Sequence, residues 1–300
     1  MNGSATDLAM PAHDSLVVAS AVPGKAHQIG VDTNGEGNDG QIVKLWPGIA
    51  PGSEHWKQKE IVVADTPVGT VAVDVVVPTL ALYLASPDRA RGAGIVVAPG
   101  GYCVALALSA EGADVARWLQ HHGISAFVLK YRTKEKLQQG IPKNPDMDAA
   151  CHYGIADAIQ SIKLVRQHAA EWHVDPKRVG IIGFSAGGMV ASGALLQKDV
   201  AARPDFAAFV YGAPFGVMPH IPAALPPIFM AWAQDDELAG AAVSRFHDAL
   251  VAAGHKPEAH IFSAGGHGFG LRKQGTTSDY WNDEFYHWLS VQGFLTGEAH

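Results

Sequence analysis

Only two of the 300 residues are cysteine, too few for the disulfide framework that staples small secreted domains. Each of them, Cys103 and Cys151, lies in an apolar stretch, so the sequence predicts two buried free thiols. No apolar run approaches the ~20 residues that cross a bilayer, which argues against a membrane-bound protein. No basic run occurs either, and a formal charge of −7 argues against a nucleic-acid partner, whose phosphates require a face rich in Lys and Arg. Histidine pairs and cysteine clusters with zinc spacing are missing, as are internal repeats and low-complexity tracts. What the chain does have is 48% hydrophobic and only 17% charged residues, the composition of a sizeable buried core.

Residues 1–40 are rich in Gly, Ala, Ser, Asn and Asp with no sustained period, and read as a loosely ordered arm ahead of one domain over 41–300. Within the arm, SLVVASAVPG (15–24) has the outline of a signal-peptide core. Asp7 and Asp14 precede it and no Lys or Arg does, so a cytoplasmic address is favoured over export. Beyond the arm, VAVDVVVPTLALYLASP (71–87) alternates and is interrupted by Pro78, as between outer antiparallel strands.

Six short apolar runs follow, at 93–100, 125–132, 178–184, 206–214, 227–234 and 258–263. Between and after them run helical stripes, namely Val115/Trp118/Leu119, Ile155/Ile159/Ile162/Val165, Val243/Phe246/Leu250 and Trp281/Phe285/Trp288/Leu289. Strands alternating with helices of that length predict a mostly parallel sheet with helices on both faces.

GFSAG (183–187) stands where one of these strands gives way to a helix. That is the context of a nucleophile elbow, in which a tight turn lifts a serine hydroxyl above the sheet edge and small neighbours avoid clashes between strand and helix. A serine at its ordinary pKa attacks poorly, so Ser185 needs a histidine base and an acid to orient it, in the chain order serine, acid, histidine. QDDE supplies Asp235 and Asp236 after the strand at 227–234, and GGHGFG supplies His267 after the last strand. Spacing does not choose between the two aspartates. The one left over would be solvated or cap the helix starting near Ala239. Oxyanion donors, each worth about 3 to 4 kcal/mol, are expected from the backbone of Ala186 and from APGGYC, at Gly101 and Tyr102.

These stretches together resemble the α/β-hydrolase-fold carbohydrate acetylesterases of the hormone-sensitive-lipase-related superfamily, whose members are often mislabelled as endo-xylanases. The resemblance runs from KLWPGIAPG (44–52) through 98–132 and 165–188 to AGGHGFGL (264–271), about five-sixths of the chain. It implies Ser185 as nucleophile, Asp236 as the acid and His267 as the base, with acetyl esters of a sugar or polysaccharide such as xylan as substrates. No cofactor or metal is implied. One position departs from the family loop Pro-Gly-Gly-Gly-Tyr: the third Gly is replaced by Tyr102, with Cys103 after it. A side chain there would narrow the acyl pocket or bring a phenol to the oxyanion.

Only FGVMPHIPAALP (215–226) is available where lipases of this fold insert a lid, so no large lid domain and an open site are expected. Tyr102 and Trp232 are candidate aromatic contacts for a sugar, with Trp232 also readable as core. An amidase or arylformamidase of the same fold, and a non-catalytic binding protein with a vestigial elbow, are the alternatives. Oligomeric state is not legible.

Overall fold

In the computed structural model, described over residues 40–136 and 146–296, the apolar runs form strands because both their faces are covered. The expected arm lies outside the described residues, apart from Gly40. The chain enters with β1 (Gln41–Lys44), β2 (Ile61–Thr66), β3 (Gly69–Val73) and β4 (Thr79–Tyr83), with Pro78 in the break between the last two. It continues with β5 (Gly92–Ala98), β6 (Ala105–Ala107), a π-helical turn (Ser109–Ala113), α1 (Asp114–His121) and β7 (Ser125–Lys130). Then come α2 (Met147–Gln167), β8 (Val174–Phe184), α3 (Ala186–Leu196), β9 (Phe206–Val210) and β10 (Ile228–Ala233). The chain ends with α4 (Gly240–Ala252), β11 (Glu258–Phe262) and α5 (Trp281–Val291).

Eight strands make one sheet in the order β1-β4-β7-β5-β8-β9-β10-β11, antiparallel at β1/β4 and β4/β7 and parallel elsewhere. This is the α/β-hydrolase fold. Successive residues of β5 divide between two cores. Val96 and Ala98 face α2, α3 and α4, while Ile95 and Val97 face α1 and α5. A second sheet, β2-β3-β6, is antiparallel and was not anticipated from the sequence. It ties the entry strands to the segment that follows β5.

The stretch at 44–52 is locked to the body by a buried ion pair. Arg132, just past β7, meets Asp157 of α2 with both side chains fully buried and Nη2 2.8 Å from Oδ1. Arg132 also donates to the carbonyl of Pro51, and Trp46 Nε1 donates to Asp157, so the charges are shared among several hydrogen bonds. No helix among the described residues is long and apolar enough to cross a membrane. Segment 215–226 contains no helix, and Phe215, Met218, Ile221 and Leu225 pack onto the core beside it.

Candidate active site

Ser185 follows β8, the strand between β5 and β9. Its backbone sits at φ 49° and ψ −122°, a conformation that costs a non-glycine residue on the order of 1–3 kcal/mol and persists only when the surroundings enforce it. They do so on both sides. Ser185 N–H donates to the carbonyl of Val210 in β9, and its own carbonyl accepts from Gly188 in α3. A methyl on Gly187 would fall on the carbonyl of Ala98, and one on Gly183 on the carbonyl of Gly187. The glycines of GFSAG are therefore demanded by the contact between β5, β8 and α3.

Two further loops at the same carboxyl edge reach Ser185. His267, five residues past β11, places Nε2 2.8 Å from Ser185 Oγ. Its Nδ1 lies 2.9 Å from Oδ2 of Asp236, three residues past β10. A carboxylate only accepts, so Nδ1 carries the proton and Nε2 is left to accept from the serine hydroxyl. The Asp236 side chain is fully buried, and its Oδ1 accepts from the N–H groups of Leu238 and Ala239. Its orientation is thus fixed by the turn into α4 independently of the imidazole. The edge of the Tyr211 ring, at the end of β9, packs against the imidazole with centroids 5.2 Å apart.

The neighbouring aspartate is solvent-exposed, as one of the two expectations has it, and it does not cap the helix. Asp235 turns the other way and accepts from Gly266 at 2.8 Å and Gly265 at 3.3 Å, the two residues before His267. The Gly266 N–H above all holds its carboxyl below the usual aspartate range. The pair therefore divides the work between orienting the imidazole and bracing the backbone that carries it.

The loop after β5 covers the serine from the opposite side. Gly100 lies against Ser185, where a methyl would approach the serine Cβ to 2.6 Å. Gly101 and Tyr102 follow in positive-φ backbone, and Ala186 opens α3 beside the serine. The Tyr102 phenol is half-buried. Partial burial, and then the charge of Asp236, pushes it above its ordinary range, so it is held as a donor.

Two expectations need correction. Trp232 is only 3% exposed and packs in the core beside His247 of α4, so it does not line the site. Its position in β10 directs it to the helix-covered face rather than to the sheet edge. Cys103 and Cys151 are not free thiols but a disulfide between the loop after β5 and α2, with Cα atoms 5.2 Å apart. Their apolar settings were read as burial alone, and burial does not distinguish a thiol from a bridge.

Glu111 is a contributor with no motif to announce it. It is buried and accepts from the N–H of Gly100 at 2.7 Å. Burial pushes its carboxyl above the ordinary range, partly offset by that N–H. Its sequence signals are a lone acid in the small and apolar run ALALSAEGA and its place within the resembling stretch 98–132. Among the described residues, no group of three or more His, Cys, Asp and Glu side chains gathers as a metal ion would need.

Comparison with known proteins agrees with this architecture. The chain is 27% identical over 220 residues to an acetylxylan esterase of Xylanibacter ruminicola, covering 62% of this chain and 42% of that protein. It is 30% identical over 148 residues to endo-1,4-beta-xylanase B of Butyrivibrio fibrisolvens, covering 49% of this chain and 21% of that one. The chain thus matches less than half the length of either curated relative. Among solved structures, an acetyl ester-xyloside bifunctional hydrolase from Caldicellulosiruptor lactoaceticus superposes with a TM-score of 0.61 at 26% identity, covering 86% of this chain and 98% of that one. A propionate-bound thermophilic esterase from Thermogutta terrifontis shares the fold at a TM-score of 0.59 and 21% identity, covering 78% and 97% of the two chains. The dienelactone hydrolase family model matches residues 80–296, a stretch containing Ser185, Asp236, His267 and the loop after β5. On that match, the chain belongs to the dienelactone hydrolase family.

Proposed function

We propose that the chain is a serine esterase that removes short acyl groups, acetyl foremost, from a sugar or plant polysaccharide. The observation that carries the proposal is the unbroken relay from Ser185 Oγ to His267 Nε2 and from His267 Nδ1 to Asp236, at 2.8 and 2.9 Å. Ser185 attacks the acyl carbon as His267 takes its proton, and Asp236 stabilises the imidazolium. Backbone N–H groups of Gly101 or Tyr102 and of Ala186 receive the developing oxyanion. The proton then passes from His267 to the departing alcohol. Water, activated by the same imidazole, releases the acid and restores the serine.

Acetyl specificity and a carbohydrate alcohol rest on the names of the acetylxylan esterase and acetyl ester-xyloside hydrolase relatives. A side chain at position 102, where the related loop has Gly, supports a small acyl group. The proposal treats residues 41–300 as one catalytic domain. The disulfide favours maturation in an oxidising compartment over the cytoplasmic address expected from the sequence.

The test is a panel of acetylated xylan, acetylated sugars, nitrophenyl esters of rising chain length and formylkynurenine, run on the native protein and on Ser185→Ala. Acetyl esters should dominate, and Ser185→Ala should lose on the order of a million-fold in kcat. Preferential cleavage of formylkynurenine would replace the esterase by an arylformamidase. Failure of a fluorophosphonate probe to label Ser185 would leave a non-catalytic binding protein.

A further inference from the structure

Residues 99–105 form a loop anchored at almost every position. The Pro99 carbonyl accepts from the buried Tyr131 hydroxyl at 2.8 Å, and Gly100 donates to Glu111. The Gly101 carbonyl accepts from Val104 and Ala105, and the Cys103 carbonyl accepts from Lys134 at 2.9 Å. The covalent anchor is the bond from Cys103 to Cys151 of α2, with both residues fully buried. Within the loop, Tyr102 and Cys103 stand at φ 58° and 55°. Two successive non-glycine residues in left-handed backbone are not held there by their own preferences, since each gains by returning to φ < 0. Turning Cys103 back would swing its Cβ away from α2, and the bridge forbids that. Tyr102, the residue before Cys103 and two after the Gly100 that lies against Ser185, inherits the constraint.

We propose that the Cys103–Cys151 disulfide is a positioning element for the reaction. By locking Cys103 in left-handed backbone it fixes the preceding Gly101–Tyr102 backbone, the segment assigned to the oxyanion, so the bridge sets kcat as well as global stability. This rests on the esterase reading of Ser185. Full burial makes the bridge a permanent staple rather than a switch, because a reductant reaches the sulfurs only when the loop or α2 opens.

The experiment compares the oxidised native protein with Cys103→Ala/Cys151→Ala, and with native protein unfolded in urea with dithiothreitol and refolded in the same reductant. In the latter, two electrons and two protons pass from the reagent's thiols to the two sulfurs, the reagent becoming a cyclic disulfide. Steady-state hydrolysis of nitrophenyl acetate, inhibition by a trifluoromethyl ketone and amide hydrogen exchange are measured at a temperature where circular dichroism shows all forms folded. Loss of the bridge should lower kcat about 10- to 100-fold with little change in KM, and weaken the ketone, which forms a tetrahedral adduct, by a similar factor. Exchange should quicken at the amides of residues 101–103 while β8 and β9 stay protected. A folded double variant with native kcat, native inhibition and unchanged exchange in the loop would overturn the proposal, as would two free thiols in protein matured under oxidising conditions. If the oxidised protein neither hydrolyses esters nor takes up a fluorophosphonate, the esterase reading fails. Hydrogen exchange alone then decides whether the bridge fixes the loop.

Discussion

The two loops that close over Ser185 are held in opposite ways. The one after β5 is anchored from beneath by buried groups: a disulfide, the Tyr131 hydroxyl and the Glu111 carboxyl. The one carrying His267 is held largely at the surface, by Asp235 on Gly265 and Gly266, by Arg272 on the Gly268 carbonyl and by Gln274 on the Gly265 carbonyl. Its buried anchors follow the histidine, where the Phe269 ring packs in the core against Tyr211 and Trp281 Nε1 donates to the Gly270 carbonyl at 2.6 Å. On the proposed esterase reading, the difference fits the chemistry each loop would serve. Oxyanion donors are effective in proportion to their fixity before charge develops. The imidazole must take a proton from one oxygen and give it to another, and a surface-held loop permits the small tilt this requires.

The largest effect that sharpens this contrast should come from the acid that orients the imidazole. Asp236→Asn keeps an oxygen for the Leu238 and Ala239 N–H groups but no longer stabilises an imidazolium, so kcat should fall about 10⁴-fold with a small change in melting temperature. Second is the bridge. It spans 48 residues, for which the chain-entropy account gives about 4 kcal/mol of stability, read by urea unfolding with and without reductant.

Third, Glu111→Ala leaves the buried Gly100 N–H without its acceptor and should cost about 1–3 kcal/mol. Its pH dependence carries a definite sign. The folded-state pKa of Glu111 is raised by burial, so its contribution is fully present below the ordinary glutamate range and is lost as pH rises through the folded value. Urea titrations of the native protein minus Glu111→Gln should recover that slope, and parallel curves would contradict the burial of an ionisable acid.

Smallest is the surface brace. Asp235→Asn should leave the melting temperature near native and lower kcat about threefold, well short of the ~10²-fold that a 1 Å displacement of the imidazole would bring. Asp235 titrates in the opposite sense to Glu111. Its pKa is lowered, chiefly by the Gly266 N–H, so its support is present above the ordinary aspartate range and fades as pH falls through the folded value. A loss at Asp235→Asn as large as that at Asp236→Asn would erase the distinction between brace and orienting acid.

The sheet was legible because its strands are apolar on both faces and its helices keep their stripes, patterns written within ten or twenty residues. GFSAG was legible for the same reason, since a sharp turn between strand and helix constrains its own immediate neighbours. Asp235 and Asp236 could not be told apart by spacing, because adjacent residues leaving a strand point in different directions and only the positions of the His267 loop and α4 say which direction is useful.

By itself, then, the sequence determined the order of the six inner strands and the helices between them, the serine turn and the succession of serine, acid and histidine, because each depends on local periodicity and backbone sterics. Tertiary structure alone decided that Trp232 faces the core, that Glu111 lies under Gly100 and that Cys103 meets Cys151. The last two proximities arise from the packing of α2 and the π-helical turn around β5 and the first from α4 on β10, and no period in the chain encodes the distance between residues that meet only after the sheet has closed.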